Sequence, residues 1–300
     1  MPPMPLVSII MPCFNERATL DDAVARVVAA PYPEGVTLEV VIVDDGSTDG
    51  SREIADGLAK AHEPVRLVAK AQNRGKGAAV RTGLKAATGE VLLIHDCDME
   101  YDPADHAAVL GPILQGTADV VIGSRFLGTP AAGGAHRVLY FWHYAANRAI
   151  TIACDMASNL NLTDIECCTK AFTREAGAAL VPHLREDGFG IEPEIVIRAA
   201  QLRLPTPPSA PAPSRVREHA RQMPSDQDAS AQPAASGASD SGERAPARGS
   251  DERAPLRPAR IYEVPVSYAG RTYAEGKKIG WRDGVRALWV IGRCWIGRAS

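Results

Sequence analysis

Three hundred residues, 45% of them apolar, suffice for one large hydrophobic core or two small ones. A formal charge of −3 is close to balance, so no global field recruits nucleic acid, and any anionic ligand must be gripped by local Arg, Lys and backbone N–H groups. The six cysteines form no CxxC pair and Cys167 and Cys168 are adjacent, which argues against a structural disulfide and a zinc site and for reduced thiols in a cytoplasmic protein.

The first residues, 1–12, lack the basic start and apolar stretch of a signal peptide, and no run reaches the ~18 apolar residues that span a bilayer. The expectation is a soluble protein, or one that rests on a membrane surface. Short apolar, β-branched runs at 7–11, 38–43, 65–68, 91–94 and 120–122 read as strands. Helical patterns at 16–30, 51–62, 76–87 and 103–115 separate them, and this alternation predicts an α/β fold with a mostly parallel central sheet and helices on both faces. In such sheets ligands bind beyond the carboxyl ends of the strands, and Asn15-Glu16, Asp44-Asp45, Asp96–Asp98 and Ser124-Arg125 all fall there. Pro, Ala, Ser, Gly, Arg and Asp dominate 205–258, which predicts a disordered low-complexity insert between a main domain at 1–204 and a closing segment at 259–300. Alternation resumes at 261–267 as a further strand. Val285, Leu288, Trp289, Trp295 and Ile296 then follow at helical spacing with Arg286, Arg293 and Arg298 among them. That stretch is either a helix packed on the core or an interfacial helix with tryptophans at headgroup depth.

Asp96 and Asp98 leave the fourth strand two residues apart, where both carboxylates can converge on one hard cation, Mg²⁺ or Mn²⁺, with Glu100 as a third ligand. Asp44 and Asp45 can accept hydrogen bonds from a base or a ribose; the same segment also reads as a turn with Asp49 or Ser51 capping the next helix. Asn73-Arg74-Gly75-Lys76-Gly77 opens a helix and favours an anion at its N-terminus, though the spacing of a Walker A loop is missing. The acidic segments at 164–170 and 189–194 carry no self-evident chemistry. In the loop 270–278, Arg271 can grip a phosphate bidentately, with Lys277 and Lys278 adding charge.

In order, these motifs resemble the family 2 inverting glycosyltransferases, in the branch of dolichyl-phosphate mannose synthase. Pro12-Cys13-Phe14-Asn15-Glu16, Asp44 to Asp49, Asn73 to Gly77, Asp96-Cys97-Asp98, Gly123 to Phe126, Thr163 to Lys170 and the 270–278 loop carry the resemblance. It implies a glycosyltransferase A-type fold in which Pro12, Asn15, Glu16, Asp44, Asp45, Lys76, Asp96, Lys277 and Lys278 hold the nucleotide-diphosphate sugar. Asp96, Asp98 and Glu100 would hold the metal, Glu100 standing where relatives often have Gln. Arg125 and Arg271 would face the acceptor phosphate or the departing diphosphate. The implied reaction moves a hexose, mannose before glucose and hence GDP-mannose as donor, onto a polyprenyl or dolichyl phosphate. That partner puts the enzyme in the cytoplasm, peripheral on the inner membrane face. The insert and the lack of C-terminal transmembrane helices depart from the pattern. With a lipid phosphate as acceptor no general base is needed; with a saccharide, protein or small-molecule hydroxyl, Asp164, Glu166 or Glu194 would have to take a proton. A nucleotide-sugar-binding module and a nucleotidyltransferase are the remaining alternatives. The second normally has its Gly-rich basic loop after the first strand, where this chain has Pro12 to Glu16.

Overall fold

A computed structural model describes residues 4–128, 141–206, 254–271 and 280–297. The strands are β1 (Leu6–Cys13), β2 (Thr37–Asp44), β3 (Val65–Ala69), β4 (Val91–Ile94), β5 (Val120–Ser124), β6 (Lys170–Thr173), β7 (Arg203–Pro205), β8 (Leu256–Pro258) and β9 (Ile261–Pro265). The helices are α1 (Leu20–Ala29), α2 (Ser51–Ala61), α3 (Lys76–Ala86), α4 (His106–Leu114), α5 (Phe141–Ser158), α6 (Arg174–Leu180), α7 (Ile191–Gln201) and α8 (Trp281–Ile296).

The main sheet runs β3-β2-β1-β4-β6-β5-β9, while β7 and β8 pair separately. Every pairing is parallel except those of β6, which lies antiparallel between β4 and β5. Nearly continuous burial along β1, β4 and β5 is what a sheet covered on both faces requires. The helices that cover it bury stripes at helical spacing, such as Leu20, Ala23, Val24 and Val27 of α1. α3 approaches closely enough that a methyl on Gly83 would collide with Ile10 Cγ2, so the bare glycine is what lets this helix lie on β1 and β2.

The parallel reading of the sheet holds, with a difference at β6. The polar run from Asp164 to Lys170 shows no alternation, and the four-residue strand that follows it is too short to leave a signal. The expected helix at 103–115 is a 3₁₀ turn, Pro103–Asp105, leading into α4, and α1 starts at Leu20 rather than Glu16. All six cysteines are buried and free.

The chain divides into two compact units, Met1–Leu204 with Arg257–Ser300, and Pro205–Leu256. The expected disordered insert falls almost wholly outside the described residues. Of the second unit only 205–206 and 254–256 are described, and there the Thr206 N–H donates to the Pro255 carbonyl at 2.9 Å.

In the first unit, β9 rejoins the sheet edge through Asp119. This buried carboxylate accepts from Arg257 Nη1 and Nη2 at 2.5 and 2.8 Å, and from the Arg260 backbone N–H and Nη2 at 2.7 and 2.9 Å. Burial alone would raise its pKa, but the hydrogen bonds from Arg257 and Arg260 outweigh burial and hold it well below the ordinary value. Asp119→Ala should therefore cost about 2–3 kcal/mol in urea unfolding, less than a fully buried pair because both arginines keep some solvent. A depressed carboxylate stabilises the fold above its unfolded pKa, so the deficit of the variant should shrink as pH falls below about 4.

Candidate active site

β1 and β4 are parallel neighbours whose chain connections diverge to opposite sides of the sheet, which makes a crevice at their carboxyl ends. Cys13 sits in register with Asp44, so the loops after β1 and β2 leave the sheet together. They are laced to each other: Asn15 N–H donates to Ser47 Oγ at 3.0 Å, Thr48 N–H to Asn15 Oδ1 at 2.9 Å, and Glu16 N–H to Ser51 Oγ at 2.9 Å. Asn15 adopts φ 52°, and Met99, in the loop after β4, φ 63°; both cleft loops thus contain a left-handed non-glycine residue. Pro12 lies inside β1 opposite Val43.

Asp44 and Asp45 hold the site's walls. Asp44 has no exposed surface; it accepts from Ser47 N–H at 3.2 Å and from Arg52 Nε at 2.7 Å. Asp45 pairs with Lys70 and accepts from the Arg74 and Gly75 N–H groups at 3.0 and 2.6 Å. Both carboxylate oxygens of Asp44 have protein partners, through which it orients the turn. Asp45 fixes the glycine loop. Gly75, at φ 101°, packs so tightly that a Cβ would stand 2.5 Å from the Asp187 carbonyl oxygen.

Lys76, at the start of α3, bridges Asp96 Oδ2 at 2.7 Å and Glu192 Oε1 at 2.9 Å. Glu192 in turn binds the fully buried Lys170 Nζ at 2.5 Å through its other oxygen. Burial disfavours the charge on Lys76, but Asp96, Cys168 and Glu192 overcome that and raise its pKa. Asp96 shows the mirror image: burial raises it, and Lys76 pulls it below the ordinary value. Glu192 and Lys170 lie in segments whose sequence carried no chemical signal; their partners come from other elements, 20 or more residues away along the chain.

Asp98 faces a different cation. Arg271 Nη2 approaches Asp98 Oδ2 at 3.1 Å, Nη1 lies 3.6 Å from Glu16 Oε2, and the Arg271 N–H donates to Glu100 Oε1 at 2.7 Å. Glu100 also accepts from Tyr268 Oη at 3.3 Å. Burial, then the charges of Asp96 and Glu100, push the Asp98 carboxyl up to about 7, with Arg271 opposing. The three carboxylates expected to hold the metal are engaged by the protein's own cations. Among the described residues no group of three or more His, Cys, Asp or Glu side chains is placed to hold a metal ion, because Asp96 turns to Lys76 while Asp98 and Glu100 turn to Arg271. The donor chemistry still fits a hard divalent cation at Asp98, where anionic oxygens are crowded and one guanidinium serves three carboxylates. Lys277 and Lys278 lie outside the described residues.

On the far side, Arg125 and Asp164 form a bidentate pair, Nε to Oδ2 at 2.6 Å and Nη2 to Oδ1 at 2.8 Å. Arg125 lies over the Tyr268 ring, 5.0 Å from its centroid, and Nη2 also reaches Asn147 of α5 at 3.1 Å. Glu263 of β9 accepts from the Thr163 and Asp164 N–H groups at 2.8 and 3.1 Å and fixes the loop. Asp164 is fully buried, and although burial raises its pKa, Arg125 holds it below the ordinary value. Arg125 engages both of its carboxylate oxygens. Glu194 is likewise engaged, by the Arg185 and Glu186 N–H groups at 2.8 and 2.7 Å and by Arg293 at 2.5 Å. Glu166 differs. Its Oε1 is buried without a hydrogen-bond partner among the described residues, and burial, then Glu192, push its carboxyl up to about 7.

A family model described as Glycosyl transferase family 2 matches residues 8–177, more than half of the chain, and the protein belongs to that family. It is 33% identical over 207 residues to Glycosyltransferase AglJ of Haloferax volcanii, covering 69% of this chain and 62% of that protein. It is 34% identical over 121 residues to the Dolichol-phosphate mannosyltransferase of Pyrococcus furiosus, covering 40% and 33%. To an Undecaprenyl-phosphate 4-deoxy-4-formamido-L-arabinose transferase of Pseudomonas aeruginosa it is 28% identical over 180 residues, covering 60% and 50%. The chain thus spans less than two thirds of the length of each of these relatives. Among solved structures, glucosyl-3-phosphoglycerate synthase from Mycobacterium tuberculosis, in complex with Mn²⁺, uridine diphosphate and phosphoglyceric acid, superposes with a TM-score of 0.57 at 18% identity, covering 97% of this chain and 78% of that one. That likeness shows the shared glycosyltransferase A-type fold.

Asp164→Asn should leave the Arg125 guanidinium buried without its counter-charge and cost about 3–5 kcal/mol in urea unfolding. Activity lost with stability unchanged would return Asp164 to the role of a base.

Proposed function

We propose that the protein is a metal-dependent inverting glycosyltransferase that moves a hexose, mannose ahead of glucose, from a nucleotide-diphosphate donor to a polyprenyl phosphate. The observation that carries this reading is the charge imbalance at the β1–β4 crevice: Glu16, Asp98 and Glu100 share Arg271, and burial, then the charges of Asp96 and Glu100, push Asp98 up to about 7. Such a carboxylate is stabilised by a further cation, and the diphosphate of the donor brings one. Bound there, Mg²⁺ or Mn²⁺ would neutralise negative charge on the leaving diphosphate. The Mn²⁺ and uridine diphosphate named with the structural neighbour agree with that chemistry.

The protein's own groups do the rest. Asp98 supplies the oxygen donor for the cation, while Lys76 keeps Asp96 ionised beside it. Arg271 reaches three carboxylates and can release one of them to meet an incoming phosphate oxygen as charge develops. Arg125, oriented by Asp164 and Asn147, offers the acceptor-side positive charge. A phosphate acceptor is already an oxyanion, so the engagement of Asp164 and Glu194 costs the reaction nothing. The relatives named for dolichol phosphate and undecaprenyl phosphate support this choice, and the mannosyltransferase among them supports mannose. An acceptor of this kind places the reaction at a membrane surface.

Glu166 favours a second reading, a hydroxyl acceptor, because it is the candidate base left unpartnered among the described residues. The two readings separate cleanly. With polyprenyl phosphate as acceptor, Glu166→Gln should retain activity within about threefold and the variant should show no loss of rate dependence on pH near 7. A base role for Glu166 predicts instead a loss of about 10²–10⁴-fold in that variant. Asp98→Asn should lower kcat by about 10²–10³-fold and chelation should do the same; turnover that survives chelation would remove the metal from the account.

A further inference from the structure

All four tryptophans of the chain lie on two helices, Trp142 on α5 and Trp281, Trp289 and Trp295 on α8, and all are exposed, by 77%, 77%, 52% and 61%. α5 and α8 pack against each other. α5 adds exposed Phe141, Tyr144, Ile152 and Met156, and α8 adds Val285, Leu288 and Ile296. An indole normally contributes its area to a core, so four outside the core on adjoining helices require a partner outside the fold.

The pattern on α8 is that of two apolar faces. Ala287, Val290, Ile291 and Cys294 are buried against the protein. Residues 281, 285, 288, 289, 295 and 296 recur at helical spacing on the opposite face and carry the exposed apolar side chains. Arg282, Arg286 and Arg293 line one flank between these faces. Arg282 lies 5.6 Å from the Trp281 ring, and Arg286 and Arg293 lie 4.4 and 5.0 Å from Trp289. Glu186 and Glu194 hold Arg286 and Arg293 from the core side. Arg148, Arg282 and Arg286 are exposed on these two helices, and Arg286 keeps 51% of its side-chain surface despite its pairing with Glu186, so guanidinium groups are presented beside the rings.

We infer that α5 and α8 form one membrane-docking face, which lies flat on an anionic lipid surface with its tryptophans among the acyl chain ends and its arginines at headgroup depth. Aromatic rings with guanidinium groups at their rim suit the boundary between hydrocarbon and phosphate, where each side chain keeps its apolar body dry and its polar tip wet. No helix among the described residues is long and apolar enough to cross a bilayer, so the face rests on the surface. α5 ties this face to the chemistry, since its Asn147 touches Arg125. A lipid phosphate entering from the bilayer therefore meets the acceptor-side arginine at the edge of the docking helix. Only that last link rests on the lipid-phosphate reading; the docking itself does not.

The test uses the full chain with no donor or acceptor, so that docking and the sugar-transfer reading can fail independently. Flotation is measured with vesicles of phosphatidylcholine containing phosphatidylglycerol and with vesicles of phosphatidylcholine alone, alongside tryptophan emission and quenching by brominated acyl chains. The protein should float with the anionic vesicles, shift its emission to the blue and be quenched. The triple variant Trp142→Ser, Trp289→Ser, Trp295→Ser should bind at least about tenfold more weakly while melting at the same temperature, because the replaced side chains are outside the core. Arg282→Gln should weaken binding to the anionic vesicles alone. Failure to float with either vesicle, or a blue-shifted emission that appears without lipid and tracks a concentration-dependent dimer in light scattering, would overturn the inference. Equal partitioning into both vesicle types would overturn the role given to the arginines.

Discussion

A cluster of carboxylates that outnumber their cations, packed at the mouth of a parallel sheet, sets the terms for the rest of this molecule. Burying an anion next to other anions is unfavourable unless each finds a counter-charge or a hydrogen bond. The protein meets that demand at Asp96 with Lys76, whose ammonium also holds Glu192. It meets it at Asp45 with Lys70 and two backbone N–H groups. At Asp98 it does so only in part, because Arg271 must serve Glu16 and Glu100 as well. The incomplete compensation lies where the donor's diphosphate and its cation would enter.

The remaining architecture can be understood as support for that point. Parallel order brings the carboxyl ends of β1, β2 and β4 to one edge, and the laced loops of Asn15 and Ser47 keep those ends together. β6, antiparallel between β4 and β5, carries Lys170 into the interior to hold Glu192. The returning segment after Arg257 closes the sheet with β9, brings Glu263 against the Asp164 loop, and sets Tyr268 and Arg271 over the cleft. Tyr268 links the two arginine clusters, since it contacts Arg125 through its ring and Glu100, a partner of Arg271, through its hydroxyl.

Much of this was legible in the residues themselves. Continuous runs of Val, Ile and Leu mark strands of a sheet covered on both faces, and acidic pairs at their ends mark the crevice. What local pattern could not carry was pairing between distant segments. Asp44 and Asp164 look like free carboxylates in sequence, yet Arg52 and Arg125 occupy them. Glu192 and Lys170 look inert, yet they complete the chain of charges that ends at Asp96. The C-terminal helix was recognisable from its own spacing. α5 was not, because its exposed face acquires meaning only once α8 lies beside it.

The central claim is that Asp98 offers a divalent cation a place that the protein's own cations do not fill. It is tested most directly by titrating Mn²⁺ into the protein and following the electron paramagnetic resonance of the free ion, with and without a nucleoside diphosphate. The account predicts that the protein lowers the free-ion signal stoichiometrically below that of Mn²⁺ with nucleotide alone, and that replacing Asp98 with Ala returns it to the nucleotide-only level. An unchanged free-ion signal in the parent protein, or equal suppression when Asp98 is gone, would contradict it.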